Sequence, residues 1–427
     1  MNEALLEKIH GKIPGAQTRA LVPNLARTES RNVTYLSADF PVFWRSAKGA
    51  NVTDVDGNRY IDLTAAFGVA NVGHSNPEVA AAIAAQAELL MHAMGDVHPT
   101  EIKNRLLEKL LSIVPSGLGK VFLASTGAEA VEAALKTAML ATGKSAFAAF
   151  HGAYHGLSLG TLEVSGIPKF REPFKHVLSD RTLLLDFGMD PDVLRAALSG
   201  RPDLAAVIVE PVQGRAGCIV PPPGWLRALR SICDEMRLLL ILDEIYTGFG
   251  RTGTMFACEY ELVLPDIICI GKAMANGFPI SAMLAKPFVM DAWPLSGGEA
   301  LHTSTSLGNP MGCAAALATI AQIERSDLPA RATQLGLHLQ TRLAAAAAHP
   351  CVRAIRGRGL MWGIQFRDAA IAERIVKLAL TKGVIVLQAG LTGNVISITP
   401  PLIIAQPQLD RAIDILDGLI GSESCTA

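Results

Sequence analysis

Charge is scarce in this chain and evenly split. Only 18% of the 427 residues are charged, with 38 Lys plus Arg against 39 Asp plus Glu, a net of 38 − 39 = −1. No basic stripe or aromatic-interleaved basic tract offers a grip on a phosphate backbone, which excludes nucleic acid as the main partner. Long hydrophobic runs are missing as well. The mean hydropathy is +0.32, yet runs such as Leu238 to Leu242 stop far short of the ~18 residues a spanning helix needs, so no membrane association is expected. The stretch Met1 to Gly15 mixes Glu3, Glu7, Lys8 and Lys12 with isolated leucines and lacks the apolar core of a signal peptide; a cytoplasmic protein is expected. There is no CxxC. The 7 cysteines, spread from Cys218 to Cys425, read as reduced thiols rather than a disulfide framework or a zinc site.

What remains is apolar and long. Half of the residues are hydrophobic, enough for a large core, which excludes disordered, collagenous and coiled-coil classes. At about 150 residues per domain the length suggests two or three domains. Residues 50 to 64 alternate around Asp56-Gly57 and predict a hairpin. The Asp54-Val55-Asp56 triple is a poor calcium loop, because Gly57 falls too early between two strands.

From about residue 78 to 290, amphipathic helices alternate with short apolar runs: Val121 to Ala124, Ala146 to Phe150, Ala205 to Val209, Leu238 to Leu242 and Ile267 to Ile270. Strands apolar throughout and separated by helices predict a mostly parallel, doubly wound α/β domain. After Pro310 come an Ala-rich helix including Ala344 to Ala348, a hairpin over Arg356 to Phe366, another helix, a strand pair and a last helix from about Gln408. The expected division is 1–65 as an N-terminal segment of a small α+β domain, 66–310 as the large domain and 311–427 as the rest of the small one.

Ligands of an open parallel sheet bind beyond the carboxyl ends of its strands, so the residues following each run carry the information. The first strand leads into Ser125-Thr126-Gly127-Ala128 and a helix, a phosphate cradle by its backbone N–H groups, although an ordinary Ser/Thr N-cap explains the same residues taken alone. The second leads into His151-Gly152-Ala153-Tyr154-His155-Gly156, where glycines break any helix that could turn the histidines into a metal pair, and Tyr154 suits stacking on a flat ligand. The third ends at Glu210-Pro211, the fourth at Asp243-Glu244, and the fifth delivers Lys272. A lysine able to form a Schiff base, a carboxylate able to keep a pyridine nitrogen protonated and an anion cradle are the requirements of pyridoxal 5'-phosphate (PLP). Taken alone, Asp243 and Lys272 could equally be a structural ion pair.

The stretch Asp243-Glu244-Ile245-Tyr246-Thr247-Gly248-Phe249-Gly250-Arg251-Thr252-Gly253, followed by Gly271-Lys272-Ala273 and Gly277-Phe278-Pro279-Ile280-Ser281-Ala282, resembles the signature of class III aminotransferases, the ω-type group of the PLP-dependent fold type I enzymes. The likeness runs through Gly73-His74, Ser125 to Ala130, Tyr154-His155-Gly156, Glu210-Pro211, Thr305 with Gly308-Asn309-Pro310, and Pro400-Pro401-Leu402. It implies that Lys272 carries the cofactor as a Schiff base and shuttles the proton, and that Asp243 pairs with the pyridinium nitrogen. Ile245 and Tyr154 would cover the two ring faces. Gly127 and Ala128, with Thr126 nearby, would hold the phosphate, which Thr305 would reach from a neighbouring subunit, while Glu210 and His155 would lie by the polar edge. A homodimer, alone or paired into a tetramer, is implied.

Three positions depart from relatives that use γ-aminobutyrate or ornithine with 2-oxoglutarate. Their arginine after the Tyr-His-Gly triplet is Leu157 here, their gating glutamate is Arg215, and their late carboxylate-clamping arginine is Ser397. Tyr246 stands where many relatives have glutamine. Without the usual bidentate clamp, the resemblance implies transamination with an amine or unusual amino-acid donor and a keto acid or aldehyde acceptor, with amino-acid or lactam racemisation on the same fold as the alternative. Arg215 is a candidate substitute clamp, with a solvated surface arginine as the plain reading, and Phe67, Trp362 and Leu301 to Leu307 are candidate pocket walls.

Two motifs compete. Gly248 to Gly253 fits GxGxxG, but Thr254-Met255-Phe256-Ala257 follows where a dinucleotide site needs an apolar helix. Gly156-Leu157-Ser158-Leu159-Gly160 fits the nucleophile elbow, with Asp243 and His302 following in hydrolase order, and makes a serine hydrolase a remote alternative beside a non-catalytic scaffold.

Overall fold

A computed structural model describes residues 5–32, 41–179 and 181–422; Cys425 lies outside them. Its centre is a sheet of 7 strands. In chain order these are β1 (Lys120–Ala124), β2 (Ala146–Phe150), β3 (Leu183–Leu185), β4 (Leu204–Val209), β5 (Leu239–Asp243), β6 (Ile267–Ile270) and β7 (Ser281–Ala285), and in space β1-β7-β6-β5-β4-β2-β3. From β6 through β5, β4 and β2 to β3 every pairing is parallel. Strands β2, β4, β5, β6 and β7 are buried along their whole length, which is why they read as unbroken apolar runs.

The sequence expectation missed β7. It is antiparallel to both neighbours, β1 and β6, so the sheet is mixed at that edge. The short β3 was also missed, three leucines being too brief a signal to separate strand from loop.

Two smaller sheets flank the centre. The Asp56-Gly57 turn joins Asn51–Asp54 to Arg59–Asp62 in antiparallel register, Asn51 opposite Ile61, and Val384–Ile385 adds to Arg59–Asp62 in parallel. Val352–Arg358, Met361–Phe366, Val395–Ile398 and Leu387–Ala389 form the other. The helix with the alanine run spans Leu328–Ala347, and the last helix is Gln406–Gly421. Asp56 binds the N-terminal helix Ala16–Thr28 through the backbone N–H groups of Gln17 and Thr18, so the calcium-like triple acts as a carboxylate helix anchor.

One buried cation joins distant parts of the chain. Arg251 donates to the carbonyls of Leu360 and Pro400, at 2.9 and 2.6 Å, and to the Asn71 side chain. Burial lowers its pKa to about 10. A guanidinium is weakly hydrated and rich in donors, which suits it to a site lined by carbonyls.

Candidate active site

The fold places the ends of β1, β2, β4, β5 and β6 at one sheet edge, and each is followed by a residue expected from the sequence to belong to the site. Asp243 ends β5. Its Oδ2 lies 2.8 Å from His155 Nδ1, and its Oδ1 accepts from the Ile245 N–H at 3.1 Å. Both side chains are buried. His155 Nε2 is a buried ring nitrogen with no hydrogen-bond partner among the described residues.

Glu210 follows β4. One oxygen accepts from the Tyr154 N–H at 2.8 Å and the other from the Gly214 N–H at 3.0 Å, so this carboxyl fixes the loops after β2 and β4 together. Burial pushes its pKa up to about 7; His155 opposes the push and Asp243 adds to it.

Lys272 follows β6 with φ +44, a left-handed conformation that costs a non-glycine residue about 1–2 kcal/mol and is typical of functional sites. Burial holds its ammonium below the ordinary lysine range, against the charges of Asp243 and Glu210. No ion pair joins it to Asp243 among the described residues. Asp243 is engaged by His155, and Lys272 Nζ lies 4.7 Å from the centroid of the Tyr246 ring. The structural ion pair that these residues could have formed is therefore not made.

The helix after β1 runs Gly127–Thr142 with Thr126 as its N-cap, the hydroxyl accepting from the Glu129 N–H at 3.2 Å. Gly127 and Ala128 head this helix, where the first N–H groups have no intrahelical acceptor. A Cβ at Gly127 would stand 2.9 Å from Ile245 Cδ1, so glycine is what lets the helix start close against that side chain. Tyr154 meets Phe170 edge to face at 5.8 Å, and burial raises the pKa of its phenol while the charge of Arg215 opposes this. Arg215 is part-buried and donates to the Gln388 carbonyl at 3.3 Å; it has no carboxylate partner among the described residues.

Ser397 is buried, with its hydroxyl 3.9 Å from Cys218 Sγ. Phe67 is 62% exposed in a run of positive φ from Ala65 to Gly68, and Thr305 is exposed in the loop before Pro310. Sequence reasoning overlooked Ser165, whose hydroxyl donates to the Gly156 carbonyl at 3.1 Å and steadies the histidine loop. It also missed the stacking of Lys272 on Tyr246. Neither carries a signal in local sequence, because the partners meet only in the folded chain.

The hydrolase triad does not assemble. Ser158 precedes the helix Leu159–Val164 and donates to Glu132 at 2.7 Å, Asp243 faces His155, and His302 lies 3.1 Å from Lys136 Nζ and stacks on Phe122. The GxGxxG stretch is equally accounted for, since Gly250 and Gly253 have positive φ in turns and Arg251 is the buried tie described above.

A helix start with free N–H groups, a buried lysine that makes no ion pair among the described residues, a buried acid–histidine pair and a ring nitrogen without a partner among them suit a flat, polar, phosphate-bearing aldehyde. Comparison with known proteins agrees. The family described as aminotransferase class-III matches residues 34–420. An acetylornithine aminotransferase of Methanosarcina mazei is 41% identical over 377 residues, 88% of this chain and 91% of that one. A 4-aminobutyrate aminotransferase of Mycobacterium leprae is 36% identical, covering 96% and 97% of the two chains. Among solved structures, an amine transaminase from an uncultivated Pseudomonas species in its PLP-bound form superposes with TM-score 0.84 at 31% identity, over 92% of this chain and 98% of that one. A transaminase from the marine bacterium Virgibacillus gives TM-score 0.88 at 27% identity, over 94% and 98%.

Proposed function

Because this chain belongs to the class III aminotransferases, PLP-dependent enzymes of fold type I, we propose that Lys272 is its cofactor-binding lysine and Asp243 the partner of the cofactor's ring nitrogen. The observation that carries this reading is that the two side chains have different partners: Asp243 meets His155, and Lys272, just past β6, lies over the Tyr246 ring and makes no ion pair among the described residues. When bound, PLP supplies an electron sink that stabilises charge left on the substrate carbon when a proton is removed.

The chain's own residues supply the rest. Lys272 Nζ is the base that takes the proton and gives it back, and its burial favours the neutral amine that can do so. Asp243, oriented by His155, holds a proton on the ring nitrogen. Thr126, Gly127 and Ala128, at the start of their helix, would hold the phosphate, Ile245 and Tyr154 would cover the ring faces, and Glu210, which fixes the Tyr154 loop, would lie by the polar edge. We take residues 66–310 as the cofactor-binding domain because all of these lie in it, with 1–65 and 311–427 contributing the small domain.

The carboxylate of a keto acid is assigned to Arg215, a part-buried cation with no carboxylate partner among the described residues and an electrostatic reach to Tyr154. Ser397 brings no charge of its own; the cations that act on its neighbour Cys218 are Arg356 and Arg251. The relatives named for acetylornithine, 4-aminobutyrate and putrescine support an aliphatic amine or amino-acid donor.

The protein is taken to act in the cytoplasm as a homodimer, with Thr305 serving the partner's site and Phe67 facing the substrate entrance. Exposed Leu89, Met91, Met94, Val97 and Leu301 support that assembly, with the segments that carry them tied by Asn309 to the Met91 carbonyl and by Thr303 to Asp96. No described helix is long and apolar enough to cross a membrane.

The test is spectroscopic. Wild-type protein given PLP and an amino donor without acceptor should convert from the lysine-linked to the aminated form of the cofactor, and Lys272→Ala should form no covalent link. Full turnover by Lys272→Ala would refute the assignment.

A further inference from the structure

Lys272 and Tyr246 form the least expected contact of the site. The lysine Nζ faces the ring at 4.7 Å from its centroid. The ring is fixed at two edges, at its hydroxyl and against an apolar neighbour. A Cβ at Gly68 would stand 2.2 Å from Tyr246 Cε2 and one at Gly214 2.3 Å from Cδ1, so glycine at both positions is what admits the ring edges. Met361 packs with Tyr246 in one apolar cluster, and the phenol donates to Thr399 Oγ1 at 3.2 Å, which in turn donates to the Thr64 carbonyl at 3.3 Å. The chain thus spends two glycines and a hydroxyl relay on fixing one aromatic face under one lysine.

An aromatic face attracts an ammonium through the ring quadrupole, and the attraction grows where water is excluded. It is weaker than a buried ion pair, whose partner would hold the cation fast. Those properties match a group that must be bonded in one half of a cycle and free in the other.

We propose that the Tyr246 ring is the seat on which Lys272 rests when its amine is free of the cofactor and protonated, making Tyr246 a positioning residue of the reaction. This rests on the reading of Lys272 as the cofactor-binding lysine. The seat keeps Nζ within the site without an anionic partner, and no bond is made or broken in occupying it. The charged groups acting on Lys272 are Asp243 and Glu210; Cys218 and Arg251 act on the phenol.

The test uses the full chain with PLP removed. The reactivity of Lys272 toward acetic anhydride is followed against pH by mass spectrometry of its peptide, in wild type, Tyr246→Phe, Tyr246→Leu and Tyr246→Gln. The ring stabilises the charged form, so Leu and Gln should lower the apparent pKa of Lys272 by about half to one unit, while Phe, which keeps the face, leaves it unchanged. Two replacements of different polarity guard against one failing to fold. An unchanged value in the ringless variants overturns the seat, as does an equal drop in Phe, which would assign the effect to the hydroxyl. If Lys272→Ala turns over normally the cofactor assignment itself is wrong; if that variant is dead while the pKa stays put, only the seat is wrong.

Discussion

His155 Nδ1 lies 2.8 Å from Asp243 Oδ2, with both side chains buried at the carboxyl edge of the central sheet. The histidine fixes the orientation of the carboxyl, whose other oxygen is already held by the Ile245 N–H. Asp243→Asn should lower the rate of proton abstraction by at least about 100-fold, the scale of a lost proton-positioning group. His155→Gln should cost less, because the carboxyl remains. The double variant should be no worse than Asp243→Asn alone, since the two act as one unit. Single-turnover kinetics with one amino donor checks all three, and additive losses would show that the pair is not coupled.

Glu210 gives a pH prediction. Its pKa in the folded protein is about 7, above the ordinary 4.5, so the native state binds more protons than the unfolded chain between those values. Its contribution to stability is fully present below about pH 4.5 and is lost as pH rises through about 7. Glu210→Gln removes that term. The stability difference between wild type and variant should shift by on the order of 3 kcal/mol in favour of the variant between pH 4.5 and 8. Urea unfolding at several pH values measures it, and a pH-independent difference contradicts the raised pKa.

Arg215→Ala should raise KM for a keto-acid acceptor by about 10- to 100-fold, the cost of a lost charge-assisted hydrogen bond. KM for a diamine without a carboxylate should not move. Equal effects on both would return Arg215 to the status of a surface arginine.

Gly68→Ala and Gly214→Ala each drive a methyl group into Tyr246, at 2.2 and 2.3 Å before relaxation. Gly68 also has φ +75, which an alanine adopts only with strain. Each change should cost about 1–3 kcal/mol, as overpacking does, with Gly68→Ala the worse. Thermal unfolding of the cofactor-free protein is the measurement.

The central sheet was legible because its strands are buried on both faces and read as apolar runs. The place of Asp243, Lys272, Glu210 and Tyr154 at the sheet edge was legible because a residue just past such a run must lie there, whatever the rest of the fold does. The antiparallel β7 was not. Ser281–Ala285 carries the same composition as its parallel neighbours, and nothing local in an apolar run of that length states its direction. The fate of Ser158, Asp243 and His302 was undecidable for a related reason: a chain order of residue types is compatible with a triad or with three unrelated partners.

By itself the sequence determined which chemical groups stand at the strand ends and in what order, because hydrophobic periodicity and strand termini are local properties of the chain. Only the tertiary structure decided which of those groups meet. Asp243 turns to His155 and Lys272 to the face of Tyr246, because Gly68, Gly214 and Thr399, far apart in sequence, leave a slot that a phenol ring fills. That choice rests on close packing, and close packing is set by residues whose distance along the chain says nothing of their distance in space.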